Sequence, residues 1–156
     1  MSWIEHLRPW RTAVAGLLLA LPALPFAASR ADEPSVEDMK ARVANVSIGD
    51  RPSLCLHISE RQLDTADKLL IAGDSERAEA ALKDVIAFSE LARDYAIQSH
   101  KHEKQAEIAI RKMANKLTNL KHTIGHEDQE QVQEAIDRLQ RIRDDLLEAM
   151  FSKGNK

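Results

Sequence analysis

The chain has 156 residues, of which 44% are hydrophobic and 30% charged, and its formal net charge is −3. This composition is typical of one globular domain rather than of a disordered or fibrous chain. Aromatic residues make up only 4% of the sequence, so neither the charge nor the composition fits a basic, stacking surface for nucleic acid.

The first thirty residues have the pattern of an export signal. Arg8 and Arg11 precede the apolar run 13–21, and prolines and small residues follow it. A basic start, a short apolar core and a small-residue exit are the features of a secretory signal peptide. The run is also shorter than the ~20 residues that a membrane span needs. We therefore predict a signal peptide over 1–31, cleaved after Ala31, and a periplasmic or secreted protein without a stable membrane span.

Removal of this leader changes the charge of the protein. Arg8, Arg11, Arg30 and Glu5 would leave with it, so 22 − 3 = 19 basic and 25 − 1 = 24 acidic side chains remain, for a net charge of −5. Both tryptophans would also be lost. The mature surface is then mildly acidic, which argues against a nucleic-acid partner. It also provides few of the aromatic side chains that line small-molecule pockets.

Cys55 is the only cysteine, so an exported chain has no internal disulfide. Two interpretations are open: a small apolar residue on a helix face, or a thiol that is reactive or forms an intermolecular bridge. The pattern Cys-x-x-Cys-His is absent, which excludes covalent haem.

Residues 32–52 form a lead-in that contains a short amphipathic helix over 36–47. Ser35 is its predicted N-cap, with Asp38 three residues later in a capping-box arrangement. Apolar residues follow at helical spacing, and Gly49 is expected to end the helix.

The helical domain is predicted over 53–153, and its first helix runs from about Ser53 to Ala72. Gly73 is expected to end this helix, and Asp74 or Ser75 to cap the next one. A connection this short makes the two helices antiparallel.

The 51 residues from Asp74 to Ile124 contain neither glycine nor proline. Their apolar positions recur in alternating steps of four and three, which is the period of a helix with one buried face. We predict one continuous helix over about 75–122, because no cause for a kink is visible. The alternative is a break near 99–101, which would give an up-down-up-down four-helix bundle.

The last helix follows a turn at 126–129. Its apolar residues lie on one face, oppositely charged pairs at i,i+4 spacing lie on the other, and Gly154 is expected to end it. No segment shows the alternation of a β-strand. The predicted fold is therefore all-α, with antiparallel helical hairpins that share the long central helix and a short N-terminal helix beside them.

The segment from Ala66 to Val85 resembles the middle of a tetratricopeptide repeat, with a small residue, a Gly-Asp turn and a following alanine. The resemblance covers about 20 of the 125 mature residues. No second copy follows at a spacing of 34 residues, whereas such repeats stack in arrays. It therefore implies a helical hairpin and no function.

A long central helix would leave part of its apolar face uncovered in its second half. We predict that this face is an interaction surface for a protein partner or for a second copy of the chain in a homodimer. Its residues are Ile108, Ile110, Met113, Leu117 and Leu120.

Histidines supply the candidate metal ligands. His122 and His126 are four residues apart, although Gly125 lies between them, and His100 and His102 form a second pair. A structural role is the principal interpretation of all four, and a metal site is the alternative. That alternative would make the protein a periplasmic metal- or haem-binding helical bundle.

No nucleophile motif, phosphate-binding loop or metalloprotease motif occurs in the sequence,. We therefore expect a protein that is not an enzyme and has no cofactor. Its expected role is contact with other proteins or with itself.

Overall fold

The predicted capping residues Ser35, Gly73 and Asp74 lie at helix ends. The helix predicted over 36–47 is shorter, because it ends at Arg42 and continues only as a 3-10 turn, and a further helix end lies at residues 100–102. The structure is a computed structural model in which residues 33–152 are described. The predicted leader, its cleavage site and the terminator Gly154 lie outside these residues. Five α-helices make up the described part: α1 (Val36–Arg42), α2 (Arg51–Ala72), α3 (Ser75–Ser99), α4 (Glu103–Lys121) and α5 (His126–Ser152).

The described residues contain no strand, so the all-α prediction is confirmed. None of the helices within 33–152 combines the length and the hydropathy that a membrane-spanning helix requires.

Helix α1 begins with the predicted capping box. The Asp38 backbone N–H donates to Ser35 Oγ at 3.1 Å, and the Ser35 N–H donates to Asp38 Oδ2 at 3.3 Å. A 3-10 turn at Val43–Asn45 follows α1. Met39 and Val43 are buried in the core, so this short helix packs on the bundle instead of standing free.

The connection between α2 and α3 is a Schellman turn. Gly73 has a φ of 76°, its N–H donates to the Leu70 carbonyl, and the Asp74 N–H donates to the Leu69 carbonyl at 2.9 Å. These two bonds satisfy carbonyls that the end of a helix would leave unpaired. Asp74 then caps α3 by accepting from the Arg77 N–H, as the sequence predicts.

The continuous helix predicted over about 75–122 is wrong, and the alternative break is present. Helix α3 ends at Ser99 and α4 begins at Glu103. Between them His100 and His102 have φ values of 56° and 64°. A left-handed residue other than glycine costs about 1–2 kcal/mol, whereas burial of one large aliphatic side chain contributes about 1.5–3 kcal/mol. Folding back lets α4 pack on α2 as well as on α5, so the burial outweighs the strain.

Ion pairs between helices give the directions in the bundle. On α3 and α5, Glu90 pairs with Arg138 and Arg93 pairs with Asp145, so these helices run in the same direction. Helices α4 and α5 are antiparallel, because Arg143 donates to Glu107 whereas Lys121 donates to Gln133. The bundle is therefore two hairpins, α2–α3 and α4–α5, side by side, with α3 against α5 and α2 against α4.

Small residues line the seam between α2 and α3, the pair of helices in most extensive contact. Ala78, Ala92 and Ala96 are fully buried. At mid-height the Ser59 hydroxyl donates to the Val85 carbonyl at 3.2 Å and accepts from the Ser89 hydroxyl at 3.3 Å. Small side chains allow close approach of two helix backbones, and these hydrogen bonds satisfy the only two hydroxyls buried among the described residues.

Candidate interaction surface

The apolar stripe that the sequence assigns to an interaction surface lies in the core of this chain. Ile110 and Leu117 have no exposed area, and Met113 and Leu120 are 2% and 7% exposed. Only Ile108 is partly exposed. The prediction of an uncovered stripe is wrong because it depends on a straight central helix, whereas the fold-back places α4 against α2 and α5.

The two histidine pairs lie at opposite ends of the bundle. His100 and His102 lie between α3 and α4, while His122 follows α4 and His126 is the first residue of α5. The 19 residues of α4 separate them by ~28 Å at 1.5 Å per residue. His102 Nδ1 is 2.8 Å from Gln105 Oε1. Among residues 33–152 no group of three or more His, Cys, Asp or Glu side chains is arranged to hold a metal ion.

One end of the bundle carries a surface that the sequence does not reveal. It consists of the loop 46–50, the turn 100–102 and the last turn of α5, 149–152, and we call it the hinge-end surface. These segments share one end because α3 and α5 run in the same direction, with Arg93 level with Asp145. The loop also meets the turn directly, because a Cβ on Gly49 would lie 2.9 Å from Lys101 Cδ.

Two large apolar side chains are exposed on the hinge-end surface. Ile48 is 42% exposed and Phe151 is 74% exposed. Ile71, 73% exposed, lies at the C-terminal end of α2 and therefore at the opposite end. Single exposed apolar residues are common on protein surfaces, but an aromatic and an aliphatic side chain at one end provide apolar contact area.

Hydrogen bonds from both flanking helices hold the turn at 100–102. Ser99 Oγ donates to the Tyr95 carbonyl at 2.6 Å and accepts from the Lys101 N–H at 3.4 Å. The Ala106 N–H donates to the His102 carbonyl at 2.8 Å. Helix α4 begins at this turn without a side-chain cap from His102, although polar caps commonly stabilise helix N-termini.

The seam between α2 and α4 is a second surface feature. Its α2 edge is acidic, with Glu60, Asp64 and Asp67, and its α4 edge is basic, with Lys112 and Lys116. Lys116 Nζ lies 2.7 Å from Asp64 Oδ1 and 3.2 Å from Asp67 Oδ2. These pairs close the seam and raise the pKa of Lys116, chiefly through the hydrogen bond to Asp64. The seam therefore joins the two hairpins.

A buried carboxylate links α4 to α5. Glu107 is 8% exposed, and its Oε1 accepts from Arg143 Nε at 2.7 Å and lies 3.4 Å from Arg111 Nε. The i,i+4 spacing of Glu107 and Arg111 is visible in the sequence, but the contact with Arg143 requires the fold. Glu107 therefore has a structural role, because its carboxylate pairs with one arginine on its own helix and with one on α5.

Cys55 is fully buried in α2. Burial raises the pKa of its thiol from the ordinary value of 9.0 to about 11, because desolvation disfavours the thiolate. Of the two interpretations that the sequence leaves open, this environment favours the small apolar residue.

Comparisons with known proteins find no relative: no protein-family model, curated protein or solved structure matches the chain.

Proposed function

We propose that this protein is an exported, non-enzymatic helical bundle that acts through protein–protein contact, including contact with a second copy of itself. The hinge-end surface is the proposed contact region. The leader pattern in residues 1–31 supports export.

The observation that carries the proposal is the exposure of Ile48 and Phe151 at the same end of the bundle. That end also holds the turn with two left-handed histidines. Contact there would remove apolar area from water, which contributes about 25 cal/mol for each Å². Most of the large apolar residues of α4 are buried inside the chain, so they do not provide a contact surface, whereas Ile48 and Phe151 do.

Charged groups support a contact role over a catalytic one. The buried carboxylate Glu107 is held by two arginines, and the α3–α5 seam is filled by pairs such as Arg93 with Asp145. Within the described residues no buried side-chain polar atom lacks a hydrogen-bond partner. Reactive groups in enzymes are typically poised in a cleft with a shifted pKa, whereas the pKa that is raised most among residues 33–152 belongs to the enclosed Cys55.

Sedimentation equilibrium of the processed protein between 1 and ~300 µM, a range that spans typical weak association, tests the proposal. We expect a monomer–dimer equilibrium. The double substitution Ile48→Ser/Phe151→Ser should weaken it at least about tenfold, because each residue loses apolar contact area. The matched control is Ile71→Ser, which removes an equally exposed side chain at the opposite end and should leave the equilibrium unchanged.

A wild-type protein that stays monomeric over the whole range would contradict self-association. Equal effects of the Ile71→Ser control and the double substitution would contradict the assignment of the contact to the hinge end. The metal- or haem-binding alternative stays a prediction, to be tested by metal analysis of protein purified without an affinity tag.

A further inference from the structure

The four-three spacing of the inward-facing positions of α3 continues into α4, although the two positions nearest the turn, Ser99 and Glu103, are polar. Steps of four and three connect Ala92, Ala96, Ser99, Glu103 and Ala106 directly across the turn. No residue between 74 and 124 is glycine or proline. If residues 100–102 were helical, α3 and α4 would therefore form one helix with a single buried face.

The closed turn stores backbone strain that a straight helix would release. His100 and His102 occupy left-handed conformations, which are uncommon for residues other than glycine and cost energy even for histidine. The side chain of His102, the N-cap residue, does not cap α4, and in a continuous helix the first N–H groups of α4 would bond to carbonyls of the preceding turn. The strain at the two histidines and the uncapped N–H groups of α4 both favour a continuous helix over the closed turn.

The turn at 100–102 is the covalent link between the two hairpins. Each is a contiguous part of the chain, and the contacts between them are those of α3 with α5, α2 with α4 and, to a lesser extent, α3 with α4. The pairs Glu90–Arg138, Arg93–Asp145 and Asp64–Lys116 can form equally well between hairpins of different chains. Short hinge loops under strain favour such an exchange.

We infer that residues 100–102 are a hinge through which two copies exchange hairpins. In the exchanged dimer, α3 and α4 of each chain form one helix over 75–121, and the α2–α3 hairpin of one copy packs on the α4–α5 hairpin of the other. The two rebuilt bundles meet at their hinge-end surfaces, which places Ile48 and Phe151 at the junction. This inference rests on the proposed self-association and specifies its mechanism.

A distance within one chain tests the exchange. Spin labels are placed at Ala80→Cys and Asn115→Cys, both exposed positions, in a Cys55→Ala background. The labelled protein is mixed in urea with a large excess of unlabelled wild-type chain and refolded at ~300 µM, so that most of the dimers that carry labels contain only one labelled chain. The 35 residues between the labels span ~52 Å in a straight helix and less than ~25 Å in the closed bundle.

We expect the dimer fraction to give the long distance and the monomer fraction the short one. A dimer that shows only the short distance would overturn the exchange and leave the proposed self-association intact. Absence of any dimer would overturn both.

Substitutions at the turn test the role of strain. His100→Gly/His102→Gly relieves the left-handed cost and weakens the straight helix, so the dimer dissociation constant should rise at least ~100-fold. His100→Ala/His102→Ala favours the straight helix and should lower the dimer dissociation constant at least ~tenfold. The matched control, His122→Ala/His126→Ala, removes two histidines at the other end and should change it less than about twofold. A Gly variant that dimerises as well as the Ala variant would refute the hinge.

Discussion

Three described residues have a left-handed backbone, and only one of them is glycine. Gly73 adopts this conformation at a helix end that the sequence predicts, whereas His100 and His102 adopt it inside a segment that the sequence predicts to be helical. Glycine reaches the left-handed region without steric cost, and histidine does so with a penalty. A positive φ therefore costs little at Gly73, whereas it strains the backbone at His100 and His102.

Gly73→Ala should lower the free energy of unfolding by about 1 kcal/mol, because alanine is strained at a φ of 76°,. Urea denaturation followed by circular dichroism measures the change. Gly49→Ala is the control: its Cβ would meet only the flexible end of the Lys101 side chain, so its cost should stay below about 0.5 kcal/mol. Equal effects of the two substitutions would contradict the role given to the left-handed turn.

The Cys55 thiol should react with a disulfide reagent at pH 8 at least ~100-fold more slowly in the folded protein than in urea, because its pKa is raised to about 11,. The unfolded chain loses this proton first as the pH rises from about 9 to about 11. Stability should therefore fall over that range, and less so in a Cys55→Ala variant. Rapid labelling of the native protein at pH 8 would show that the thiol is accessible.

At the scale of elements, the sequence predicts helix ends wherever side-chain chemistry determines them. The capping box at Ser35, the turn at Gly73 and the Asp74 cap all occur as expected. Helix α5 begins at His126, inside the turn predicted over 126–129. The break at 100–102 could not be read from local propensity, because it is imposed by burial of α4 against α2 and α5.

Glu107→Gln should destabilise the protein by about 1–3 kcal/mol, because it removes the charge that Arg143 and Arg111 both contact in a mostly buried position,. Thermal and urea denaturation measure this change. The matched control is Glu37→Gln, whose side chain is 80% exposed beside Lys40, and its effect should be below about 0.5 kcal/mol. If Glu107→Gln left the free energy of unfolding unchanged, the ion pair would make no net contribution to stability.

At the scale of the whole molecule, the candidate surface was predicted less well than the fold. Ile110, Met113, Leu117 and Leu120 were correctly identified as one apolar face, yet that face is buried. Apolar periodicity reports which side of a helix avoids water. It does not report whether the cover comes from the same chain or from another, and this depends on the direction of the chain after Ser99.

Mass spectrometry of the protein recovered from the periplasm or medium of an expressing bacterium tests the export prediction. Cleavage after Ala31 should give a mature chain that begins at Asp32 and carries a net charge of −5, from 19 basic and 24 acidic side chains,. A chain that keeps residues 1–31 and sediments with membranes would contradict cleavage. Substitution of Ala31 by Tyr should block processing, whereas Ala44→Tyr, well beyond the cut, should not.

The turn at 100–102 crosses from one hairpin to the other, so it is the place where the backbone could be cut without dividing a hairpin. Every interaction within each hairpin lies on one side of Lys101, and the two sides pack through the helix pairs α3–α5, α2–α4 and α3–α4. A single backbone cut at this exposed lysine would therefore break no helix and would leave two complementary fragments. Reassembly of those fragments into the native bundle would then be a bimolecular reaction, governed by dilution as much as by temperature.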